Sequence, residues 1–113
     1  MRYMLMICYE DFDRVPGPAT IKDDPKYRSW TEEMDRRGVL RGGARLRPGS
    51  EATTVRVRED EVLLSDGPFA ESKEQMGGFD IVECADLDDA IEVASRHPVA
   101  KFGTIEIRPL WEG

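Results

Sequence analysis

Residues Tyr3 to Tyr9, Tyr-Met-Leu-Met-Ile-Cys-Tyr, are apolar at odd and even positions alike. A strand sends alternate side chains to opposite faces, so a run of this kind must be covered on both sides. It reads as the central strand of a layered domain, and the rest of the chain has to supply two covers. With 113 residues the chain forms one domain, residues 1–113, with enough length for a single core.

The first cover is helical. After an acidic stretch, Glu10 to Asp13, and the Pro16-Gly17-Pro18 cluster, Asp24 and Pro25 supply an N-cap and a first helical residue. Tyr27, Trp30 and Met34 follow on one face, and Gly38 ends the helix with Arg36 and Arg37 at the negative end of its dipole. Val39 to Leu46 alternates as a strand, with Leu40, Gly42, Ala44 and Leu46 on one face and Arg41, Gly43 and Arg45 on the other. Its paired glycines mark a bulge or a close approach of backbone or ligand.

Thr53 to Arg58 and Val62 to Ser65 alternate around Glu59-Asp60 and predict a hairpin. The polar segment Ala70 to Gln75 predicts a short helical turn or a loop, and Gly77-Gly78 opens a strand, Phe79 to Cys84. Asp86 caps a second helix with Asp89 in the capping-box position; Leu87, Ala90, Ile91 and Ala94 form its apolar stripe. His97 extends that face before Pro98 stops the helix, and Thr104 to Arg108 is the last strand.

Strand, helix, strand, hairpin, strand, helix, strand is an α+β order. Without the hairpin it is the split βαβ arrangement of ferredoxin-like folds. Right-handed crossovers place both helices on one face and leave the other bare, although the first strand is apolar there too. A homodimer packed sheet to sheet, as in dimeric α/β barrels, is the expected second cover.

Charge narrows the partners. A net charge of -7 argues against nucleic acid, whose binding relies on clustered cations. No apolar run approaches the roughly 18 residues of a membrane span, and Met1-Arg2-Tyr3-Met4 begins no signal peptide. The expectation is a cytoplasmic protein with no membrane partner. Seven arginines between Arg36 and Arg58 are a solvated surface or a site for a small anion. Cys8 and Cys84 are isolated in apolar runs and fill core; one histidine and dispersed acids predict no metal site, and no cofactor is expected.

An apolar run also stops at Leu64, before Ser65-Asp66-Gly67-Pro68-Phe69-Ala70-Glu71. Asp66 can bond its own backbone two residues on, Gly67 accepts positive φ and Pro68 fixes φ, which predicts a rigid turn bearing a carboxylate. The run Ser65 to Phe79 resembles the motif for which the DGPF proteins of the YCII-related family are named. Similarity continues through Asp86 to Ala90, Arg96-His97-Pro98 and Gly103 to Leu110, and includes Met4 to Ile7 and the Gly42-Gly43 strand. The resemblance implies a ferredoxin-like dimeric fold and an Asp and His pair as active site, carried here by Asp66 and His97. One related member is a dehydrochlorinase acting on an aromatic ring, and DGPF proteins are often found near sigma factors.

If Asp66 meets His97, the carboxylate fixes the imidazole tautomer and leaves the other nitrogen as acid or base. Arg41 and Arg45 on one strand face can clamp a carboxylate or phosphate, and Phe69 is a further substrate-binding candidate. Two functions stay open. One is an acid–base enzyme, a lyase or dehydrochlorinase-like catalyst, acting on a small organic molecule, an anion if the arginines bind it. The other is a non-catalytic ligand-binding or regulatory dimer, linked to sigma-factor-dependent transcription, in which Asp66 only forms a turn and His97 only complements a helix dipole.

Overall fold

Strand β1 (Arg2–Tyr9) pairs antiparallel with β5 (Gln75–Glu83) on one side and β6 (Thr104–Pro109) on the other, the inner position that its apolarity demands. Strand β2 (Leu40–Arg45) joins the outer edge of β5, giving one four-stranded sheet of order β2-β5-β1-β6. Strands β3 (Thr53–Arg58) and β4 (Glu61–Asp66) pair only with each other in a second sheet. The computed structural model describes residues 1–17, 20–69 and 72–112. Its architecture is α+β, with two helices and antiparallel sheets, and is compatible with a ferredoxin-like fold. Residues 70 and 71 of the predicted polar turn, and residue 18 of the proline cluster, lie outside the described residues.

Helix α1 (Pro25–Arg36) starts where its cap predicts: the Asp24 carboxylate accepts the Lys26 N–H at 3.0 Å. It ends in a Schellman turn, with Gly38 at φ +71, its N–H on the Asp35 carbonyl and the Val39 N–H on Met34. Helix α2 (Leu87–Ser95) begins with Asp86 accepting the Asp89 N–H at 2.9 Å, while Asp89 accepts the Ala85 N–H at 3.0 Å. Its buried stripe is Ala90, Val93 and Ala94, whereas Leu87 and Ile91 are half exposed. The stripe is thus rotated from the expected one, and small side chains let α2 sit close to the sheet.

Both helices cover one face. Tyr3, Leu5 and Val82 from the sheet meet Trp30 and Met34 from α1 and the three buried residues of α2. The outer sides of the helices are laced by ion pairs: Arg37, one of the expected surface arginines, reaches Glu33, Asp89 and Glu92, and Arg96 reaches Glu33 and Glu92. The even residues of β1, Met4, Met6 and Cys8, are half buried on the other face, with Ile81 and Phe79 opposite Met4 and Met6. Cys84 is buried, and burial pushes its thiol up to about 11, which suits core filling and not reactivity. No helix among the described residues is long and apolar enough to cross a membrane.

The β3–β4 ribbon turns at Glu59 and Asp60, both at positive φ, 50 and 65. This is the backbone of a type I′ turn, which Asn-Gly adopts without the cost borne by side-chain-bearing residues. The double substitution Glu59→Asn, Asp60→Gly is expected to stabilise the ribbon by about 1 kcal/mol. Since the ribbon packs chiefly on itself, the gain belongs in slower amide exchange of β3 and β4 and not in the melting temperature of the whole chain. Unchanged exchange would show that the turn is not the weak point.

The turn after β4 differs in detail from the expected one. Asp66 is the last residue of β4, paired with Thr53, and its carboxylate makes no hydrogen bond among the described residues. The chain is held instead by Gly67, at φ +91, whose N–H donates to the Ala52 carbonyl at 2.8 Å and whose carbonyl accepts from the Thr54 hydroxyl at 2.8 Å.

Candidate functional site

Between α1 and the sheet lies a cavity of about 310 Å³, open at one side and lined mainly by apolar atoms. Ile7, Val15, Tyr27, Trp30 and Val99 make its walls; Arg45, Asp80, His97 and Tyr9 bring polar groups from the sheet side and the turn after α2, and Arg28, Thr31 and Glu32 bring others from α1, where Arg28 and Glu32 pair with each other. Glycines leave the room. In the register, Gly43 stands opposite Asp80 and Gly78 opposite Arg45, so each polar side chain faces a neighbour with none. A Cβ on Gly43 would collide with the Asp80 carboxylate and the Phe79 carbonyl, and one on Gly77 with the Tyr9 ring. The glycine pair of β2 therefore serves both expected purposes: the register slips between Leu40 and Gly42, and Gly43 permits a close approach.

His97 does not extend α2. The helix ends at Ser95, Arg96 is its C-cap, and His97 caps the next turn, Pro98–Lys101. Its Nδ1 accepts the Val99 N–H at 3.1 Å, since Pro98 cannot continue the helix and a new N-terminus needs an acceptor. The ring is buried, edge-on to Trp30 at 4.8 Å and to Tyr27 at 5.9 Å between centroids. Burial lowers its pKa to about 4, so the imidazole is neutral at pH 7. With Nδ1 occupied as an acceptor, the proton resides on Nε2, and nothing among the described residues accepts it. His97 is thus a fixed donor facing the cavity and not a dipole-stabilising cation.

Asp80 sits opposite Leu5 on the helix-covered face of β5. Burial raises its carboxyl to about 6, and no hydrogen bond or ion pair among the described residues holds it. Arg45, at the end of β2, donates from one terminal nitrogen to the Pro16 carbonyl and from the other to the Tyr9 hydroxyl at 3.3 Å. Its Nε is buried and has no partner among the described residues. A carboxyl and a guanidinium thus line one cavity without pairing. No group of three or more metal-ligating side chains occurs among the described residues.

A family model described as the YCII-related domain matches residues 1–112. This chain belongs to the YCII-related family. An uncharacterized protein of Rhizobium meliloti (strain 1021) is 35% identical over 111 residues, covering 93% of this YCII-related chain and 89% of the relative.

Of the five site residues expected from the sequence, this YCII-related domain brings two, His97 and Arg45, to the cavity. Asp66 is exposed on the ribbon, and within one chain neither a hydrogen bond nor an ion pair joins it to His97 among the described residues. Arg41 falls at the slipped register of β2 and is exposed, so it forms no clamp with Arg45. Phe69 is exposed and packs under the Arg56 guanidinium at 4.9 Å. The carboxyl that accompanies His97 is Asp80, which sequence reading left among ordinary strand residues. Its signal is parity, because Asp80 shares one face of β5 with Val82, which is buried, and the same alternation continues to the buried Cys84 just past the strand.

Proposed function

We propose that this YCII-related domain is an acid–base enzyme for a small organic acid, with Asp80 as the base, Arg45 as the anion anchor and His97 as a neutral hydrogen-bond donor. The observation that carries the reading is the pair of unsatisfied groups on one cavity: the unpaired Asp80 carboxyl and the buried, unpaired Arg45 Nε. Each costs stability in the empty protein and each is complementary to part of such a ligand. The apolar walls suit an aromatic or branched body.

At pH 7 a carboxyl titrating near 6 is mostly ionised and is more basic than an ordinary aspartate, which suits abstraction of a proton from carbon. The electron pair left behind moves toward the ligand's carbonyl oxygen, where His97 Nε2–H donates, or expels a leaving group from the neighbouring carbon. The first outcome is enolisation, which ends when a proton returns to carbon; the second is elimination, the lyase reaction. The domain works as a homodimer packed through the sheet face bearing Met4, Met6 and Ile81, a surface too apolar to be left to water.

Titration calorimetry with benzoate and phenylacetate tests the anchor, and NMR-detected exchange of the phenylacetate α-protons with deuterium tests the base. Arg45→Lys is expected to weaken binding at least about tenfold, because the fork geometry and its Nε contact are lost. Binding that is indifferent to this substitution rejects the anchor. Binding without exchange in the wild type makes the cavity a ligand site without catalysis.

A further inference from the structure

We propose that the β3–β4 ribbon is an arm whose aliphatic face docks on a second copy of the chain. The register puts Val55 opposite Leu64 and Val57 opposite Val62, all on one face. These four side chains are 60, 68, 55 and 61% exposed. The other face carries Thr54, Arg56, Arg58, Glu61, Leu63 and Ser65, so the ribbon is amphipathic, yet neither core cluster among the described residues takes in its apolar side. A two-stranded ribbon alone is marginal in water, and alternation of this kind is ordinarily the mark of a covered face.

The dimensions identify the cover. The accessible surface is 7912 Å² against about 6,300 Å² for a compact monomer of this mass, an excess of about 1,600 Å². The radius of gyration is 15.8 Å where about 13 Å is expected. An excess of that size per chain matches what an obligate dimer buries, and exceeds the roughly 800 Å² per partner of a standard interface. The same chain has two uncovered apolar surfaces, the ribbon and the bare sheet face, and the ribbon does not fold back on the sheet. A two-fold pair covers both at once, each copy giving and receiving an arm. Asp66 lies on the aliphatic face of the arm, opposite Thr53, so the arm carries this carboxylate toward the second copy. The arm adds to the sheet-to-sheet dimer of the proposed function and makes its own prediction.

Sedimentation equilibrium of the full chain separates the cases, with circular dichroism confirming that each variant is folded. Leu64→Lys and Val57→Lys are expected to weaken self-association at least about 30-fold, as loss of a buried anchor does. Leu63→Lys, one residue away on the opposite face, is expected to leave it within about twofold. Lysine at an exposed site does not threaten the protomer's own core. Wild-type association that survives Leu64→Lys, or that Leu63→Lys weakens equally, overturns the arm. If Met6→Lys dissociates the protein while Leu64→Lys does not, the sheet-face dimer stands and the arm falls; a monomeric wild type removes both, leaving the cavity chemistry to calorimetry.

Discussion

Denaturant titration of His97→Ala at neutral pH is expected to show a loss of about 3 kcal/mol. Two effects combine. Removing the ring leaves a void against Trp30 and Tyr27, and the Val99 N–H loses the acceptor that starts the Pro98–Lys101 turn. His97→Asn keeps a short acceptor at the cap and is expected to recover about 1 kcal/mol of that loss. The histidine also imposes a pH dependence of known sign. Its folded pKa, about 4, is below the ordinary 6.5, so the folded state resists protonation. Its contribution is fully present above pH 6.5 and is lost as pH falls through 4, by up to about 3 kcal/mol. Wild type minus His97→Ala, taken from pH 7 to pH 4, isolates this slope. A flat difference curve would mean that the ring is not desolvated.

Asp80→Asn is expected to act in the opposite sense. The folded carboxyl titrates near 6, above its ordinary 3.8, so the folded state binds the proton more tightly than the unfolded chain does. Stability from this group is present below pH 3.8 and lost as pH rises through 6. Removing the charge should therefore stabilise the protein by about 2 kcal/mol at pH 7 to 8, with no gain below pH 4. The two groups tilt stability oppositely over the same window, so the wild type has a flatter profile than either variant. Under the proposed function the same substitution lowers ligand proton exchange at least about 100-fold. A variant that is more stable yet exchanges protons at the wild-type rate would falsify the role given to Asp80.

The sheet, both helices and their caps were legible because each rests on local chemistry. Asp24 with Pro25, Gly38, and Asp86 with Asp89 fix helix ends through bonds within a few residues. The double-sided apolarity of β1 identified its central place for a similar reason. The site was less legible, because its partners meet only through sheet register. Asp80 comes beside the cavity through pairing with Gly43, 37 positions away in the chain, and a one-residue slip in β2 decided that Arg45 would face it and Arg41 would not. Helix periodicity carries the apolar face past Ser95 to His97, whereas Pro98 starts a new turn and makes the residue before it a cap. Asp66 drew attention through its turn residues, which specify backbone shape and say nothing of what the carboxylate meets.

The indole of Trp30 gives the molecule an optical consequence. Its Nε1 donates to the Val93 carbonyl at 3.0 Å, tying α1 to α2, and its ring lies against His97 on the cavity wall. Trp111, the second indole, is fully exposed, so the two fluoresce from opposite surroundings. An imidazolium quenches a neighbouring excited indole far more than a neutral imidazole does. The blue, buried part of the emission therefore follows the charge on His97 and the filling of the cavity, while the red, exposed part supplies a steady reference within the same chain.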